Sequence, residues 1–473
     1  MAKYLVETFG CQMNQHDSER MAGLLEQAGY DRTDDDRDAD VIVINTCSVR
    51  EKAEEKLYTR LGEIRMIADE TGSRPVVAVA GCVAQQEGER LLGKTNGRVI
   101  DVLIGTQSLK RLPMLVEEAR KPSPDLPASR AVGSARFGGA GLSTARVDLN
   151  PYDDVSFPLG IARREEPHKA YVTIIEGCNE FCAFCVVPYT RGKERMRLAR
   201  DIVAEVRQAA ETGAREVQLL GQIVNHYLAP DDPACDFAEL LARVNEVEGI
   251  ERIRFASPHP RHVTPRMMQA MRDLPKVCRH LHLPVQSGST RVLQAMRRRH
   301  TREEYLDLLA RLRETMPDIA LSTDMIVGFP GESSEDFDDT LSLTGLARYH
   351  SMYSFKYSPR PNTLALKRMA DDVPEDEKTR RIMALQALQK SIQGELFEAS
   401  VGRIEPVLID ATSRRREWEL SGRTSGNTVV NLPGDPSWVG RTVPVRITGA
   451  NPNSLRGEAV DVRPKADAAG THV

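Results

Sequence analysis

The sequence predicts an α/β protein built from an N-terminal α/β domain with a parallel sheet, a central partial (β/α)6 barrel and a small C-terminal antiparallel β-barrel. Short β-branched runs alternate with helical segments over residues 1–119, as in a parallel sheet covered by helices. The alternation resumes after residue 164 for about six βα units, too few for a closed eight-stranded barrel. After residue 400, short strands separated by Gly, Pro and Asn replace the helices.

The length and charge of the chain limit its possible functions. At roughly 150 residues per domain, 473 residues make about three domains. The 64 Lys and Arg residues nearly balance the 68 Asp and Glu residues, which excludes a uniformly basic nucleic-acid-binding protein and restricts any RNA contact to a local patch. No run of 18 apolar residues occurs, so the sequence predicts a cytoplasmic protein without a signal peptide or a membrane span.

Changes in composition and periodicity place the domain boundaries. Residues 120–164 mix prolines and glycines without an apolar period, which predicts a linker with some ordered pieces. The other predicted units are an N-terminal domain at 1–119, the central barrel at 165–397, the C-terminal barrel at 398–464 and a disordered tail at 465–473.

The N-terminal domain alternates strands and helices. Its predicted strands are Lys3–Thr8, Val41–Ile44, Val76–Ala80 and Val99–Ile104. Apolar residues from Met21 to Ala28 recur at helical spacing, and Asp17 or Ser18 is placed to cap that helix. A longer charged helix is predicted at Arg50–Glu70.

The two barrels differ in the elements between their strands. The six strands predicted for the central barrel are Ala170–Ile175, Glu216–Leu220, Arg252–Ala256, His280–Val285, Ala320–Val327 and Ser351–Tyr357. Helices follow them, including Asp201–Thr212 and Phe237–Val247, and a long helix at Glu375–Ala399 closes this part. The five strands predicted for the C-terminal barrel are Pro406–Asp410, Glu417–Ser421, Thr428–Asn431, Arg441–Ile447 and Gly457–Val462.

Three cysteines on one loop form the clearest candidate site. Residues 177–185 (GCNEFCAFC) place Cys178, Cys182 and Cys185 directly after the first strand of the central barrel. Disulfides are rare in cytosolic proteins, so metal binding is the favoured interpretation. Three thiolates can hold three irons of a 4Fe–4S cluster and leave the fourth iron open to a small ligand. Three buried cysteines that only pack are the alternative.

Three further cysteines are far apart in the sequence. Cys11, Cys47 and Cys82 each follow a predicted strand of the N-terminal domain. Because parallel strands end at one edge of a sheet, we expect these thiols to converge there and to suit a second cluster. Free cysteines are often core residues, so apolar packing is the alternative. The isolated Cys235 and Cys278 are interpreted as packing residues.

Several motifs resemble the methylthiotransferase branch of the radical S-adenosylmethionine (SAM) family. In addition to the cysteine loop, they are residues 9–14 (FGCQMN), 45–47 (NTC), 187–192 (VPYTRG), 281–288 (LHLPVQSG) and 326–332 (IVGFPGE). Residues 420–424 (LSGRT) resemble the TRAM RNA-binding domain. The resemblance therefore covers nearly the whole chain and identifies the central barrel as a radical SAM core.

The resemblance implies two 4Fe–4S clusters and SAM as cofactors. It implies a tRNA methylthiotransferase that adds a methylthio group to C2 of N6-isopentenyladenosine at position 37 of tRNA, with an auxiliary cluster on the N-terminal cysteines. The implied partners of this monomeric enzyme are the tRNA anticodon stem–loop, a reducing protein such as flavodoxin or ferredoxin and a sulfur donor, with no membrane. Within the family, methylthiolation of threonylcarbamoyladenosine in tRNA or of a ribosomal-protein aspartate is the alternative.

SAM-binding residues are expected at the C-terminal ends of the barrel strands, where His259 also lies. The cofactor-binding candidates, which lie near predicted strand ends or in the family motif at 221–225 (GQIVN), are Gly221, Gln222, Asn225, Ser257, Gln286 and Gly331. Three residues depart from the family pattern, which has Asn, Ser and Gly where this chain has Ile223, Met196 and Asn362. These departures affect SAM or substrate contacts rather than the cluster cysteines.

One motif raises a hypothesis from another class, a P-loop NTPase that carries structural clusters. Residues 88–95 (GERLLGKT) match the phosphate-loop pattern. However, Gly88 lies eight residues beyond the predicted strand end at Ala80, and the Glu-Arg-Leu-Leu middle favours a helix. We therefore interpret Gly93 as a helix C-cap rather than part of a phosphate loop.

Two basic runs remain. Residues 297–300 (RRRH) are interpreted as a solvated face, which is the usual role of such a run. Residues 414–416 (RRR) lie next to Trp418 in the predicted C-terminal barrel and are a candidate patch for RNA.

Overall fold

The computed structural model describes residues 1–48, 51–94, 99–121, 145–150, 158–413 and 418–460. The N-terminal elements, in chain order, are β1 (Lys3–Phe9), α1 (Gln12–Gln27), β2 (Asp31–Arg32), β3 (Val41–Thr46), α2 (Glu51–Thr71), β4 (Val76–Gly81), α3 (Cys82–Glu87), α4 (Arg90–Lys94), β5 (Val102–Ile104), α5 (Leu112–Arg120) and β6 (Arg146–Asp148).

The N-terminal strands form one parallel sheet in the order β2-β1-β3-β4-β5-β6. Apolar side chains of β3, β4 and β5 fill separate cores on the two faces of the sheet, as expected for strands covered on both sides. The parallel sheet predicted from the sequence is therefore confirmed. The edge strand β6 comes from the segment predicted as a linker, so one ordered piece of that segment completes this sheet.

Helix α1 begins earlier than predicted. Its N-cap is Cys11, whose backbone N–H is bonded by the side chain of Asn14. The predicted caps Asp17 and Ser18 lie inside the helix and are buried. Their polarity serves contacts with neighbouring parts of the protein, because Asp17 pairs with Arg191 of the central barrel.

The central part begins with β7 (Lys169–Thr173) and ends with a long helix. Its further elements are β8 (Ile175–Glu176), α6 (Val187–Thr190), β9 (Arg195–Met196), α7 (Ala199–Glu211), β10 (Glu216–Leu220), α8 (Phe237–Asn245), β11 (Arg252–Phe255), α9 (Pro265–Asp273), β12 (His280–His282), α10 (Thr290–Ala295), α11 (Arg302–Thr315), β13 (Ala320–Val327), α12 (Ser334–Ala347), β14 (Ser351–Lys356), α13 (Leu364–Arg368) and α14 (Glu375–Glu398).

Six parallel strands of this part follow one another in chain order. They form two three-stranded sheets, β7-β10-β11 and β12-β13-β14, which are joined by a parallel bridge between Ile253 and Val277. The predicted partial (β/α)6 barrel is therefore confirmed. Strand β12 is shorter than predicted, because the backbone N–H of Val285 donates to the Thr323 hydroxyl (3.0 Å) instead of a strand carbonyl.

The C-terminal part is a closed antiparallel barrel in the order β15-β16-β17-β19-β18, with one parallel pair between β17 and β19. Its strands are β15 (Ile404–Thr412), β16 (Glu419–Arg423), β17 (Val429–Pro433), β18 (Thr442–Asn451) and β19 (Ser454–Ala459), around an apolar core. In the described ranges, no helix has the length and apolar character needed to cross a bilayer.

The small barrel docks against the N-terminal ends of the central strands. Arg252, the first residue of β11, donates to the carbonyl of Arg423 (2.7 Å), and Arg254 donates to the carbonyl of Thr424 (2.7 Å). Among the described residues, the opposite, C-terminal ends of the central strands make none of these bonds. Those ends carry the cysteine loop and the cofactor-binding candidates.

Candidate active site

The three N-terminal cysteines lie side by side because their strands are in register. Phe9 of β1 pairs with Thr46 of β3, and Thr46 pairs with Gly81 of β4. Cys47 and Cys82 directly follow the last two of these residues, and Cys11 follows Phe9 by two. We refer to Cys11, Cys47 and Cys82 as the N-terminal triad. The predicted convergence at one edge of the sheet is what the structure shows.

A network of two buried amides supports the N-terminal triad. The Asn14 side chain accepts from the Cys11 thiol (Sγ–Oδ1 3.4 Å) and donates to Asn45 (3.1 Å). Asn45 in turn donates to the backbone carbonyl of Asn14 (2.8 Å). Gly81 has φ of 92°, and a Cβ there would lie 2.2 Å from the Asn45 oxygen. Only glycine therefore lets the chain pass this network directly before Cys82.

The charges around the N-terminal triad come from two parts of the chain. Arg191, from the segment after α6, is buried and donates to Asp17 of α1 (Nη2–Oδ2 2.6 Å). Hydrogen bonding from Cys47 lowers the pKa of Cys11 to about 6 against the effect of burial, with a further contribution from the positive charge of Arg191. Burial raises the pKa of Cys82, which the same guanidinium partly offsets.

The other three cysteines lie on the loop between β8 and α6, and we call them the loop triad. Gly177 has φ of 75°, and a Cβ there would lie 2.2 Å from the Lys193 carbonyl, so the loop turns tightly over the chain that leaves it. The Cys178 N–H donates to the Gly192 carbonyl (3.2 Å), and the Cys185 N–H donates to that of Cys182 (3.0 Å). These backbone bonds hold Cys178, Cys182 and Cys185 on one short turn.

Burial is the main influence on the thiols of the loop triad. Burial raises the pKa of Cys178 to about 11 and that of Cys185 to about 12, and the adjacent Cys182 adds to both shifts. Arg298 donates to the Cys182 sulfur (Nη1–Sγ 3.5 Å) and to the carbonyl of Pro284 (2.7 Å). The basic run at 297–300 is a solvated face only in part, because Arg297 and Arg299 are exposed whereas Arg298 and His300 are buried.

Both triads have the donor set of an iron–sulfur cluster. Among the described residues, no three His, Cys, Asp or Glu side chains converge on a point, as the ligands of a single ion would. A 4Fe–4S cluster takes one thiolate on each iron, so its ligands stand at separate corners. All eight cysteines have free thiols. Each triad therefore supplies three free thiols, the type of ligand that such a cluster uses.

The SAM candidates surround the C-terminal ends of the central strands. Gly221 directly follows β10, and Asn225 links that end to the next one, donating to the carbonyl of His259 (3.0 Å) and accepting from its N–H (2.8 Å). Ser257 and Gln286, beyond β11 and β12, have φ of 60° and 81°. Such strained backbone in non-glycine residues is typical of binding sites.

His259, Gln222 and Gly331 differ in what they offer a ligand. The Nδ1 of His259 accepts from the Arg261 N–H (3.2 Å), so its proton is on Nε2, which is buried without a partner in the described structure. Gln222 is half-buried just beyond the end of β10. Both backbone groups of Gly331 are engaged, since its N–H donates to Asp372 (2.7 Å) and its carbonyl accepts from Arg291 (2.6 Å).

For two of the three residues that depart from the family motifs, the structure shows a local conformation or contact. Asn362 has φ of 67°, a left-handed conformation that asparagine tolerates better than most residues, so it can stand where the family has glycine. The Met196 sulfur accepts from the Leu228 N–H (3.1 Å). Ile223 is buried, and nothing in the structure explains the change from asparagine there.

Four histidines form a group near the cysteine loop, and of these only His259 was singled out from the sequence. The rings of His226 and His262 are 4.3 Å apart, and His259 is 5.9 Å from both His262 and His300. Glu180, inside the cysteine loop, contacts His262 (3.3 Å). These histidines come from three loops, so sequence spacing gave no signal, although three of them follow predicted strands.

The phosphate-loop pattern at 88–95 does not form a phosphate loop. Residues Arg90–Lys94 are helical, and Gly93 lies inside this helix rather than after its end. The Lys94 ammonium is bonded to Glu87 (2.9 Å). Cys235 and Cys278 are buried as expected for packing residues. The basic patch at 414–416 lies outside the described residues.

The fold and the two triads define a class of protein: a radical SAM enzyme with an additional N-terminal α/β domain and a small RNA-binding barrel. Family models match in this order, with residues 3–105 matching the Uncharacterized protein family UPF0004, residues 172–344 the Radical SAM superfamily and residues 398–460 the TRAM domain.

Relatives of similar length narrow this class. The chain is 44% identical to the tRNA-2-methylthio-N(6)-dimethylallyladenosine synthase of Alkalilimnicola ehrlichii, with 96% of each chain covered. It is 45% identical to the synthase of Geotalea uraniireducens over 96% of this chain and 98% of the relative. It is 41% identical to the synthase of Aquifex aeolicus over 97% of this chain and 99% of the relative. This chain belongs to the family of tRNA-2-methylthio-N(6)-dimethylallyladenosine synthases.

A solved structure shares the fold at low sequence identity. The radical S-adenosylmethionine methyltransferase TsrM from Kitasatospora setae, with cobalamin and a [4Fe-4S] cluster bound, superimposes with a TM-score of 0.54. The sequences are 14% identical, and 77% of each chain is covered. The likeness therefore concerns the fold alone.

Proposed function

We propose that this chain is a two-cluster radical SAM methylthiotransferase that adds a methylthio group to C2 of N6-isopentenyladenosine at position 37 of tRNA. The main support is the pair of cysteine triads, each at the carboxyl edge of its own parallel sheet. The names of the full-length relatives favour this substrate over threonylcarbamoyladenosine or a ribosomal-protein aspartate.

The two triads divide the chemistry between them. The loop triad would hold a cluster that supplies the electron for cleavage of SAM into methionine and a 5′-deoxyadenosyl radical, and the N-terminal triad would hold a cluster that supplies sulfur. The loop thiols Cys178 and Cys185 release their protons when they bind iron, because only the thiolate is a ligand. Cys11 loses its proton more readily than these two thiols when it binds iron, because its pKa is lowered.

SAM is proposed to bind over the ends of β10, β11 and β12, next to the loop triad. Asn225 fixes the separation of two of these strand ends through its pair of bonds to His259. His259 offers a buried N–H donor, which suits a carboxylate or a ribose oxygen. Gly221, Gln222, Ser257 and Gln286 line the same rim, and Gly331 shapes the next turn.

The tRNA is proposed to contact both the SAM side of the central barrel and the C-terminal barrel. A TRAM match at residues 398–460 supports an RNA-binding role for that barrel. Each SAM cleavage consumes an electron and each product consumes a sulfur atom, so we propose a reducing partner such as flavodoxin or ferredoxin and a separate sulfur donor. A tRNA substrate also favours a cytoplasmic location.

Substrate discrimination tests the proposed function. We expect the anaerobically reconstituted protein, given SAM, dithionite and an anticodon stem–loop with N6-isopentenyladenosine, to form the 2-methylthio nucleoside detected by mass spectrometry. The matched stem–loop with threonylcarbamoyladenosine should give no product. The reverse pattern would overturn the substrate assignment. As a control, Lys94→Ala should leave the activity unchanged, whereas a P-loop NTPase would lose nucleotide hydrolysis.

A further inference from the structure

Arg191 belongs to the central barrel in sequence but to the N-terminal triad in space. It lies six residues after Cys185 and follows helix α6. Its side chain is buried, with 3% exposed, and reaches α1, where it pairs with Asp17 (2.6 Å). Helix α3, which begins at Cys82, packs against α6, so the residue that directly follows α6 lies next to this triad. The positive charge of Arg191 acts on both Cys11 and Cys82. The cation is therefore close to two of the three thiols.

One nitrogen of the Arg191 guanidinium lacks a hydrogen-bond partner among the described residues. Nη2 donates to Asp17, whereas Nη1 is buried and has no hydrogen-bond partner among the described residues. A buried donor that lacks a partner is unfavourable, and more so when it is charged. Such a donor is available to a ligand that binds at the neighbouring N-terminal triad.

The backbone at Arg191 is clamped by the N-terminal domain. Just beyond β5, the Thr106 hydroxyl donates to the Thr190 carbonyl (2.7 Å), and the Gln107 amide donates to the carbonyl of Arg191 itself (2.6 Å). Arg195 bonds back to Gln107. The guanidinium is therefore held in place by both domains before any ligand binds.

We propose that Arg191 completes the N-terminal triad as a positioning residue, and that its free Nη1 donates to an anionic sulfur of the cluster bound there. The inference rests on the proposed function, because it assumes that these cysteines hold a cluster. Net charge and hydrogen bonds to sulfur set the reduction potential of an iron–sulfur cluster. The cation stabilises the more negative reduced form, so its removal lowers the potential.

A potential measurement tests this role in the full-length chain. Replacing Cys178, Cys182 and Cys185 with alanine gives a parent protein with only the auxiliary cluster, whose midpoint potential is measured by an EPR-monitored redox titration. We expect Arg191→Met to shift the reduced-to-oxidised ratio at a fixed potential at least tenfold toward oxidised, a fall of about 59 mV for one electron. Arg191→Lys, which keeps the charge without the planar fork, should shift the ratio less.

Arg20 provides the matched control. It is another fully buried arginine at the interface between the two domains, but it pairs with Glu176 (3.5 Å) rather than lying beside the cysteines. Arg20→Met should leave the potential unchanged. An unchanged potential in Arg191→Met, or an equal shift in Arg20→Met, would overturn the inference.

Two further outcomes are decisive. If Arg191→Met fails to hold iron, retention of about four irons by Arg191→Lys supports the charge-dependent role, and loss of iron from both variants and from Arg20→Met contradicts it. If the parent protein itself binds no four-iron cluster, the proposed function fails at its auxiliary site. That result is distinct from a parent protein that binds its cluster but whose midpoint potential does not change in Arg191→Met.

Discussion

The loop triad and the N-terminal triad reach the same ligand number by different routes. Cys178 and Cys185 are seven residues apart, and one tightly bonded turn holds them. The N-terminal triad spans Cys11 to Cys82 and depends on the register of three strands. The first site is local, whereas the second exists only when its sheet is folded.

The two triads also differ in electrostatics. Burial raises the pKa of Cys178 and Cys185 to about 11 and 12, but Cys11 is lowered to about 6 by its hydrogen bond from Cys47. A thiol with a low pKa is largely thiolate at neutral pH. This difference suits the proposed division of labour, in which one site contacts SAM and the other handles sulfur.

Removing each triad should produce a different pattern of losses, and this is the largest effect we expect. With Cys11, Cys47 and Cys82 replaced by alanine, reductive formation of 5′-deoxyadenosine should persist while methylthiolation disappears. With the loop triad replaced, 5′-deoxyadenosine should disappear as well. Liquid chromatography with mass spectrometry measures both products. If the N-terminal variant folds and still forms methylthioadenosine, those cysteines are only core residues.

Two matched glycine variants, each of which adds one methyl group, should impair the two triads independently of each other. Gly81→Ala places its Cβ 2.2 Å from Asn45, and Gly177→Ala places its Cβ 2.2 Å from the Lys193 carbonyl, both in left-handed backbone. Each strain costs about 1–3 kcal/mol. We expect Gly81→Ala to lose auxiliary iron but keep SAM cleavage, and Gly177→Ala to lose SAM cleavage.

Iron content and 5′-deoxyadenosine measure these two outcomes, and circular dichroism checks the fold. The same defect in both glycine variants would contradict the view that the triads are independent sites.

The contact between the domains should weaken on acidification. Burial lowers the pKa of His16 to about 4 from an ordinary 6.5, with the nearby Arg20 adding to the shift. The unfolded chain therefore binds more protons in this window, and about 3 kcal/mol of stability is lost as the pH falls from about 6.5 to about 4. His16→Gln should flatten the dependence by about 1 kcal/mol between pH 7 and pH 5.5, as measured by urea unfolding.

His16 itself contacts Thr173 (2.9 Å) and Glu205 (3.6 Å) of the central part. Glutamine can make both contacts without titrating, so it is the appropriate replacement. A pH dependence that is identical in wild type and His16→Gln would show that this histidine is not buried at the interface.

The smallest expected effect is kinetic and concerns the metal-free protein. Both thiols are partly exposed, but Cys11 has the lower pKa, so at pH 7 iodoacetamide should alkylate Cys11 at least about tenfold faster than Cys185. Peptide mass spectrometry follows each site, and the urea-unfolded chain provides the control in which the rates converge. Equal alkylation rates in the folded protein would contradict the difference in thiol pKa between Cys11 and Cys185.

Much of this architecture could be predicted from hydrophobic patterning. Strand Glu216–Leu220 has the predicted bounds, and helix Glu375–Glu398 ends one residue early. Helix α1 was placed wrongly at its start because its polar residues looked like surface or cap positions. Asp17 is instead buried against Arg191, a partner 174 residues away that no local pattern reveals.

The candidate site was predictable where it follows strand ends. The loop triad needed only its spacing, and the N-terminal triad needed the rule that parallel strands end together. The cations could not be predicted, because Arg191 and Arg298 reach the triads through tertiary packing. The other histidines around His259 could not be predicted for the same reason.

Iron content per chain tests the central claim most directly. Two clusters of four irons predict about eight irons per wild-type chain after anaerobic reconstitution, and about four in either triple-alanine variant. Wild-type protein that saturates at about four irons, or an N-terminal triple variant that still holds about eight, would contradict the assignment of one cluster to each triad.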